Sequence, residues 1–329
     1  MSNLSMSDPA TTVPGMTDLG LGVVSGLAAA FFSAVSYLVS RHYGLCQRAM
    51  GRKGSALRLL AVSHLMMAAV CIPLTWAAWP ATSPPVRLFA VPLAASVGFY
   101  LLGQSALFAA LKRVEASRLA PLLGLKIVML AVIVSFVLGH ALDTRQWLAV
   151  ALSVAAAAML QAGRGAVPAG AFGFVLSCCL SFAISDIFIL RLIDGLQTGA
   201  IESSGAISRL HAGGLAMTLT YGVCGLLFVP LGVALRPYTR ADWVAAAQYA
   251  FAWLVSMVGL YCCFGLVGVV FGNIMQSTRG VMSVAIGAAL AHLGWHELEQ
   301  RVDRATLLRR LAAALLMTAA IALYVIDLW

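Results

Sequence analysis

Three ionisable side chains interrupt long apolar runs of this sequence: Lys126, Asp186 and Arg279. A charge at the centre of a membrane helix costs about 2.5–3.5 kcal/mol on insertion scales and usually marks a pathway or a site. Two cations converging on one cavity suit an anionic group such as a carboxylate, phosphate or sulfate. Arg279 would offer a planar fork for bidentate contact and Lys126 a compact point charge. Asp186 is a third member, or else it simply neutralises one of the cations. The plain alternative for each cation is snorkelling to the membrane interface.

Polar groups able to orient a ligand surround these charges. Ser36 and Tyr37, with Ser33, lie in the first apolar run, and Ser185 stands in an equivalent place in the sixth. Gln104 falls in the third run, and Asn273, Gln276, Ser277 and Thr278 lead up to Arg279. The competing reading for each hydroxyl is a bond back to its own helix, and for Gln104 an interhelical hydrogen bond. His64 and His292 are titratable candidates, although a satisfied structural role is the simpler account of both; His140 and His211 look interfacial. Six of the seven cysteines sit in apolar runs, and neither Cys178-Cys179 nor Cys262-Cys263 has a His or acidic residue at ligand spacing. They read as packing residues, so no metal and no cofactor are expected. A Walker loop, a nucleophile elbow and paired carboxylates are all missing from the sequence, which argues against ATP hydrolysis and against an enzyme. The nearest acid–base cluster, His296, Glu297 and Glu299 with Arg301, Asp303 and Arg304, reads as a solvated connection.

The elements that must hold these residues are membrane helices. The chain has 329 residues, 61% hydrophobic and only 10% charged, against about 25% charged in soluble domains. The mean hydropathy is +0.94. This excludes a large soluble domain, a nucleic-acid partner and a β-barrel, and it makes the lipid bilayer the solvent. Apolar runs predict an all-α membrane protein of about ten transmembrane helices, near 21–40, 59–79, 88–110, 119–139, 146–162, 171–190, 213–235, 244–267, 270–294 and 306–327. Residues 1–20 are polar and are expected to form a disordered tail.

The two halves of the chain resemble each other. Ser36 in helix one aligns with Ser185 in helix six, and Pro73-Leu74 with Pro230-Leu231. Val97-Gly98-Phe99-Tyr100 aligns with Val258-Gly259-Leu260-Tyr261, and Leu138-Gly139 with Leu293-Gly294. Four matches in the same order predict a duplication, 21–164 and 165–329, divided at the basic stretch around Arg164. Five helices is an odd number, so the second copy enters from the opposite face as an inverted repeat. Small residues at helical spacing, Gly222-Gly225 and Gly265-Gly268 among them, predict close helix packing.

Five-plus-five helices, together with Ala106-Leu107-Phe108-Ala109-Ala110-Leu111-Lys112-Arg113-Val114-Glu115-Ala116-Ser117-Arg118-Leu119-Ala120-Pro121 and the following Val137-Leu138-Gly139-His140, resemble the EamA-like branch of the drug/metabolite transporter superfamily. The resemblance covers about 21–327. It implies a transporter; it carries no substrate across. The Gly-Glu that often ends helices four and nine in that family is here Gly139-His140 and Gly294-Trp295.

Basic residues are asymmetric between the expected connections, fifteen on one side against four on the other (Arg87, Arg145, Arg191, Arg209). The positive-inside rule then places both termini outside the cytoplasm, whereas the family resemblance implies termini inside. The combined expectation is a multi-pass protein of the plasma (inner) membrane, monomer or homodimer. It would move a small polar, anionic organic molecule by alternating access. The alternatives are a flippase for a lipid-linked headgroup and a lipid-modifying membrane enzyme.

Overall fold

The computed structural model describes residues 16–51, 55–111, 122–137, 139, 142–161, 169–203 and 205–292, with scattered residues between 305 and 323. The described residues are helical or in short connections, with no strand among them. In chain order the helices are α1 (Met16–Ala49), α2 (Ser55–Ala78), α3 (Val86–Leu111), α4 (Leu125–Val132, continued by a π-helical turn, Ile133–Val137) and α5 (Thr144–Gln161). Then follow α6 (Ala169–Glu202), α7 (Arg209–Leu227), α8 (Val229–Ala234), α9 (Arg240–Val267), α10 (Val269–Ser277) and α11 (Arg279–His292). Between 305 and 323 the described residues are helical as well.

Six helices, α1, α2, α3, α6, α7 and α9, are long and apolar enough to cross a membrane. The remaining expected spans coincide with the shorter or broken α4, α5 and α10–α11 and with 306–327. Large apolar side chains such as Val24, Ile72, Trp76 and Phe251 are exposed on the outer surface, which a soluble protein would bury and a bilayer solvates.

Several boundaries differ from the expected ones. The helix expected to begin at 21 begins at Met16. The connection expected over 191–212 is mostly helix, because α6 runs on to Glu202 and α7 starts at Arg209. Asp186 is therefore in the middle of α6, not one turn from its end. The expected helix 213–235 breaks at Phe228, where Pro230 supplies no backbone N–H to continue the ladder. The expected helix 270–294 is broken too. It starts after Gly268, whose φ of +84° ends α9, and it stops again at Thr278. There the Ser277 hydroxyl donates to the Ile274 carbonyl at 2.5 Å and the Thr278 hydroxyl to the Met275 carbonyl at 2.7 Å. Such bonds compete with the helical ladder, so Arg279 opens a new segment. The basic junction Lys112 to Pro121, the stretch around Arg164, His140 and the cluster from His296 to Arg304 lie outside the described residues, as does the side chain of His292.

The packing has a regular plan. α1 packs on α9, α3 on α6, and α2 on α7, while α4 packs on α6 and both α10 and α11 pack on α1. Small residues permit the close crossings. At Gly259 an added Cβ would lie 2.6 Å from the Ser25 carbonyl oxygen, so α1 and α9 touch backbone to backbone there. Gly225 is pressed in the same way against Ala68 and the His64 carbonyl of α2. Gly268, read from sequence as a packing residue, is instead the break between α9 and α10. At one end of the α1–α9 contact, buried Asp242 closes a capping box with Thr239 and accepts from the Tyr43 hydroxyl at 2.6 Å and the Gln47 amide at 3.2 Å.

Candidate functional site

A central cavity is lined by residues from α1, α3, α4, α6, α7, α9, α10 and α11. Its volume is about 140 Å³. That is the size of a small organic molecule.

Seven of the eight site residues expected from sequence line this cavity: Tyr37, Gln104, Lys126, Asp186, Asn273, Gln276 and Arg279. Ser36 does not. Its hydroxyl donates to the Ser33 carbonyl at 2.8 Å, and the residue is fully buried behind the wall. Ser185 does reach the cavity, and it donates across to the Ser96 carbonyl of α3 at 2.9 Å.

The two cations are treated differently. Lys126, the second residue of α4, places Nζ 2.6 Å from Asp186 Oδ2, and the Asn273 amide donates to the same oxygen at 2.7 Å. Lys126 also lies 5.8 Å from the Phe182 ring centroid. Arg279, the first residue of α11, has no carboxylate within salt-bridge distance among the described residues. It donates to the Tyr37 hydroxyl at 3.3 Å and stacks over the Tyr37 ring, 4.9 Å from its centroid. Arg279 stands at the start of a helix, the end that attracts anions and disfavours cations, and a phenol ring is its partner there. At Lys126 the N–H groups of Lys126 and Ile127 are already bonded to the Leu123 and Gly124 carbonyls, and the Asp186 carboxylate holds the ammonium.

Much of the remaining lining is aromatic and was not anticipated. Tyr100, Phe182, Tyr221, Trp253 and Tyr261 all line the cavity. Trp253 donates to the Tyr221 hydroxyl at 3.0 Å, and Tyr100 meets His64 Nε2 at 3.0 Å and the Gln104 amide at 3.2 Å. The signal for two of these was present in the sequence. Tyr100 and Tyr261 end the matched stretches Val97–Tyr100 and Val258–Tyr261, which served only as marks of duplication. His64 is fully buried with both ring nitrogens engaged, by the Leu60 carbonyl at 2.8 Å and by Tyr100, as its structural reading expects. His211 is exposed and meets the Ala78 carbonyl at 2.7 Å.

An all-α bundle with an apolar outside and a charged, partly aromatic cavity inside defines a multi-pass membrane protein. Residues 20–161 match the EamA-like transporter family. The match covers a little under half of the chain, and one curated relative is similar over part of the sequence. The relative, "Probable UDP-sugar transporter protein SLC35A4" from Pongo abelii, is 34% identical over 117 residues, which is 36% of this chain and 36% of that one. The match thus spans about a third of the relative's length. A solved crystal structure superposes with a TM-score of 0.63 at 13% identity, covering 92% of this chain and 96% of the other. At that identity the likeness concerns the fold alone.

Proposed function

We propose that this protein is a secondary transporter of a small polar organic anion, working by alternating access between two inverted five-helix halves, 21–164 and 165–329. The observation that carries the anion is Arg279. It is partly buried in the cavity wall, it starts a helix, and among the described residues it has no carboxylate. A cation so placed is stabilised by an incoming carboxylate or phosphate more than by anything around it.

The inverted repeat is supported by the packing plan. Exchanging helix n of the first half with helix n of the second turns the α3–α6 contact into the α9–α1 contact and leaves α2–α7 unchanged. It likewise turns α4–α6 into the contacts of α10 and α11 with α1. A pseudo-two-fold axis relating the halves gives this exchange, and an odd number of helices per half sets that axis in the membrane plane. Discontinuous helices that present their starts to a midplane cavity are also usual in such transporters.

The test is uptake into proteoliposomes of lactate, glycerol 3-phosphate, UMP and UDP-glucose, with glycerol and choline as neutral and cationic controls. Accumulation of an anion is expected. Uptake of choline or glycerol alone would overturn the reading. UDP-glucose, included because of the relative's name, exceeds the room of the present cavity and is expected to enter only if the cavity widens.

Orientation has its own test, set by the fifteen-to-four basic bias. Cys46, near the end of α1, is exposed, whereas the other cysteines are buried or half-buried. It is expected to resist an impermeant thiol reagent in intact cells and to react after permeabilisation. Ready labelling in intact cells would place that end of α1 outside.

A further inference from the structure

Both glutamines that line the cavity are held with a fixed amide direction, and in both cases the direction follows from a backbone carbonyl behind the wall. A carbonyl oxygen only accepts. The Ser256 hydroxyl donates to the Ala29 carbonyl at 2.8 Å, so Ser256 has no proton left for Ser33, 2.6 Å away. Ser33 must therefore donate to Ser256, and it accepts from Gln276, 3.4 Å away. The group of Gln276 beside Ser33 is then its NH2. Ser33 and Ser256 are fully buried and form no part of the cavity lining.

The second chain has the same logic. The Leu60 carbonyl takes the one N–H of a neutral His64 at Nδ1. Nε2 is then an acceptor, and Tyr100 donates to it. The Tyr100 oxygen is left to accept, so Gln104 meets it with its NH2 at 3.2 Å.

Each glutamine thus turns its nitrogen to the protein and keeps its carbonyl oxygen for something else. Gln276 is 7% exposed and Gln104 5%, and no donor among the described residues reaches Gln276 Oε1. A buried acceptor left without a donor is unfavourable until something donates to it. The χ3 well of a glutamine is broad, so a modest rotation of the amide presents Oε1 to an occupant of the cavity. Asp186 adds a third acceptor, since Lys126 and Asn273 both bind its Oδ2 and leave Oδ1.

We infer that the substrate is recognised by its hydrogen-bond donors as well as by its charge: an organic anion that also carries hydroxyl or amino groups, read by the carbonyl oxygens of Gln104 and Gln276. This rests on the anion reading above and adds a donor requirement to it. Gln276 and Arg279 line the same cavity on either side of the Thr278 break, so one ligand can meet both.

The experiment compares probes matched in charge and differing in hydroxyls, glycerol 3-phosphate against n-propyl phosphate and lactate against propionate, with glycerol as the uncharged donor. Affinity is read by thermal shift of the detergent-solubilised full chain and by uptake. The hydroxylated member of each pair is expected to bind at least tenfold more tightly. Gln276→Leu and Gln104→Leu should each shrink that preference. Ser256→Ala is the decisive variant, because it touches no ligand. Without the Ser256 anchor, Ser33 is free to donate to Gln276 and the amide can reverse, so the preference should fall although the cavity wall is unchanged in composition.

Anions that bind equally with and without hydroxyls would overturn the donor requirement and leave the anion reading intact. So would a preference that survives Gln276→Leu, Gln104→Leu and Ser256→Ala. Glycerol binding that depends on Gln276, with none of the four anions bound, would retain the donor reading and sink the anion. Binding of none of these five probes would count against both.

Discussion

Arg279→Met is expected to abolish uptake of the anionic substrate while leaving a folded, extractable protein. The guanidinium makes two contacts, the bond to the Tyr37 hydroxyl at 3.3 Å and the stacking on the Tyr37 ring. A cation–π contact of this kind contributes about 0.5–2 kcal/mol. Against it stands the unfavourable placement of a cation at the start of α11, roughly 0.3–1 kcal/mol in the other direction. Methionine keeps the length and the apolar stem, so the net change in stability should be about 1 kcal/mol or less. The loss in binding is larger. A hydrogen bond to a charged group contributes about 1.5–3 kcal/mol, which is roughly a 10- to 150-fold loss of affinity for the anion. Arg279→Lys, which keeps the charge and loses the planar fork, should fall between. Uptake and thermal stability measured on the same preparations decide the matter. Wild-type uptake by Arg279→Met would end the substrate role of this residue.

The charges and amides of this site were legible in the sequence for a simple reason. Lys126, Asp186, Arg279, Gln104, Asn273 and Gln276 are conspicuous because the membrane makes a polar group in an apolar run expensive. The aromatic wall was hidden for the converse reason. Tyr100, Tyr221, Trp253 and Tyr261 are apolar enough to pass as ordinary packing, and only the fold shows that their edges meet in one cavity. Ser36 was misplaced because a serine on a helix faces the cavity or the packing according to rotation, and hydropathy does not encode rotation. Ser185 took the place expected of it. The breaks at Thr278 and Phe228 were also only half visible. Pro230 carries the signal for one of them but was used only as a mark of the repeat, and the other depends on which way the hydroxyls of Ser277 and Thr278 turn. Nor does the sequence say which cation meets Asp186. That depends on α4 packing against α6, a contact between residues far apart in the chain.

The pairing of Lys126 with Asp186 sets the other large expected effect. The side chains are 18% and 7% exposed, and their charged atoms are 2.6 Å apart. Removing one partner of a buried pair strands the other, at a cost of about 3–5 kcal/mol. The cost should be greatest for Lys126→Met, which leaves the deeper carboxylate with only the Asn273 amide. It should be smaller for Asp186→Asn, because the freed ammonium can turn towards water in the cavity. The double variant Lys126→Met/Asp186→Asn removes both charges and should recover most of the lost stability. Transport then separates two roles. If the pair only holds α4 against α6, the double variant should transport as well as the wild type. If Lys126 also contacts the substrate anion, Asp186 is its resident partner and the anion competes for the same ammonium. The double variant should then fold and still fail to transport, and Asp186→Asn alone should bind the anion more tightly than the wild type, because nothing competes for Lys126. The second pattern is the expected one, since both residues line the cavity that holds Arg279. Recovery of uptake in the double variant would reduce Lys126 and Asp186 to a structural clamp and leave Arg279 as the cation that meets the substrate.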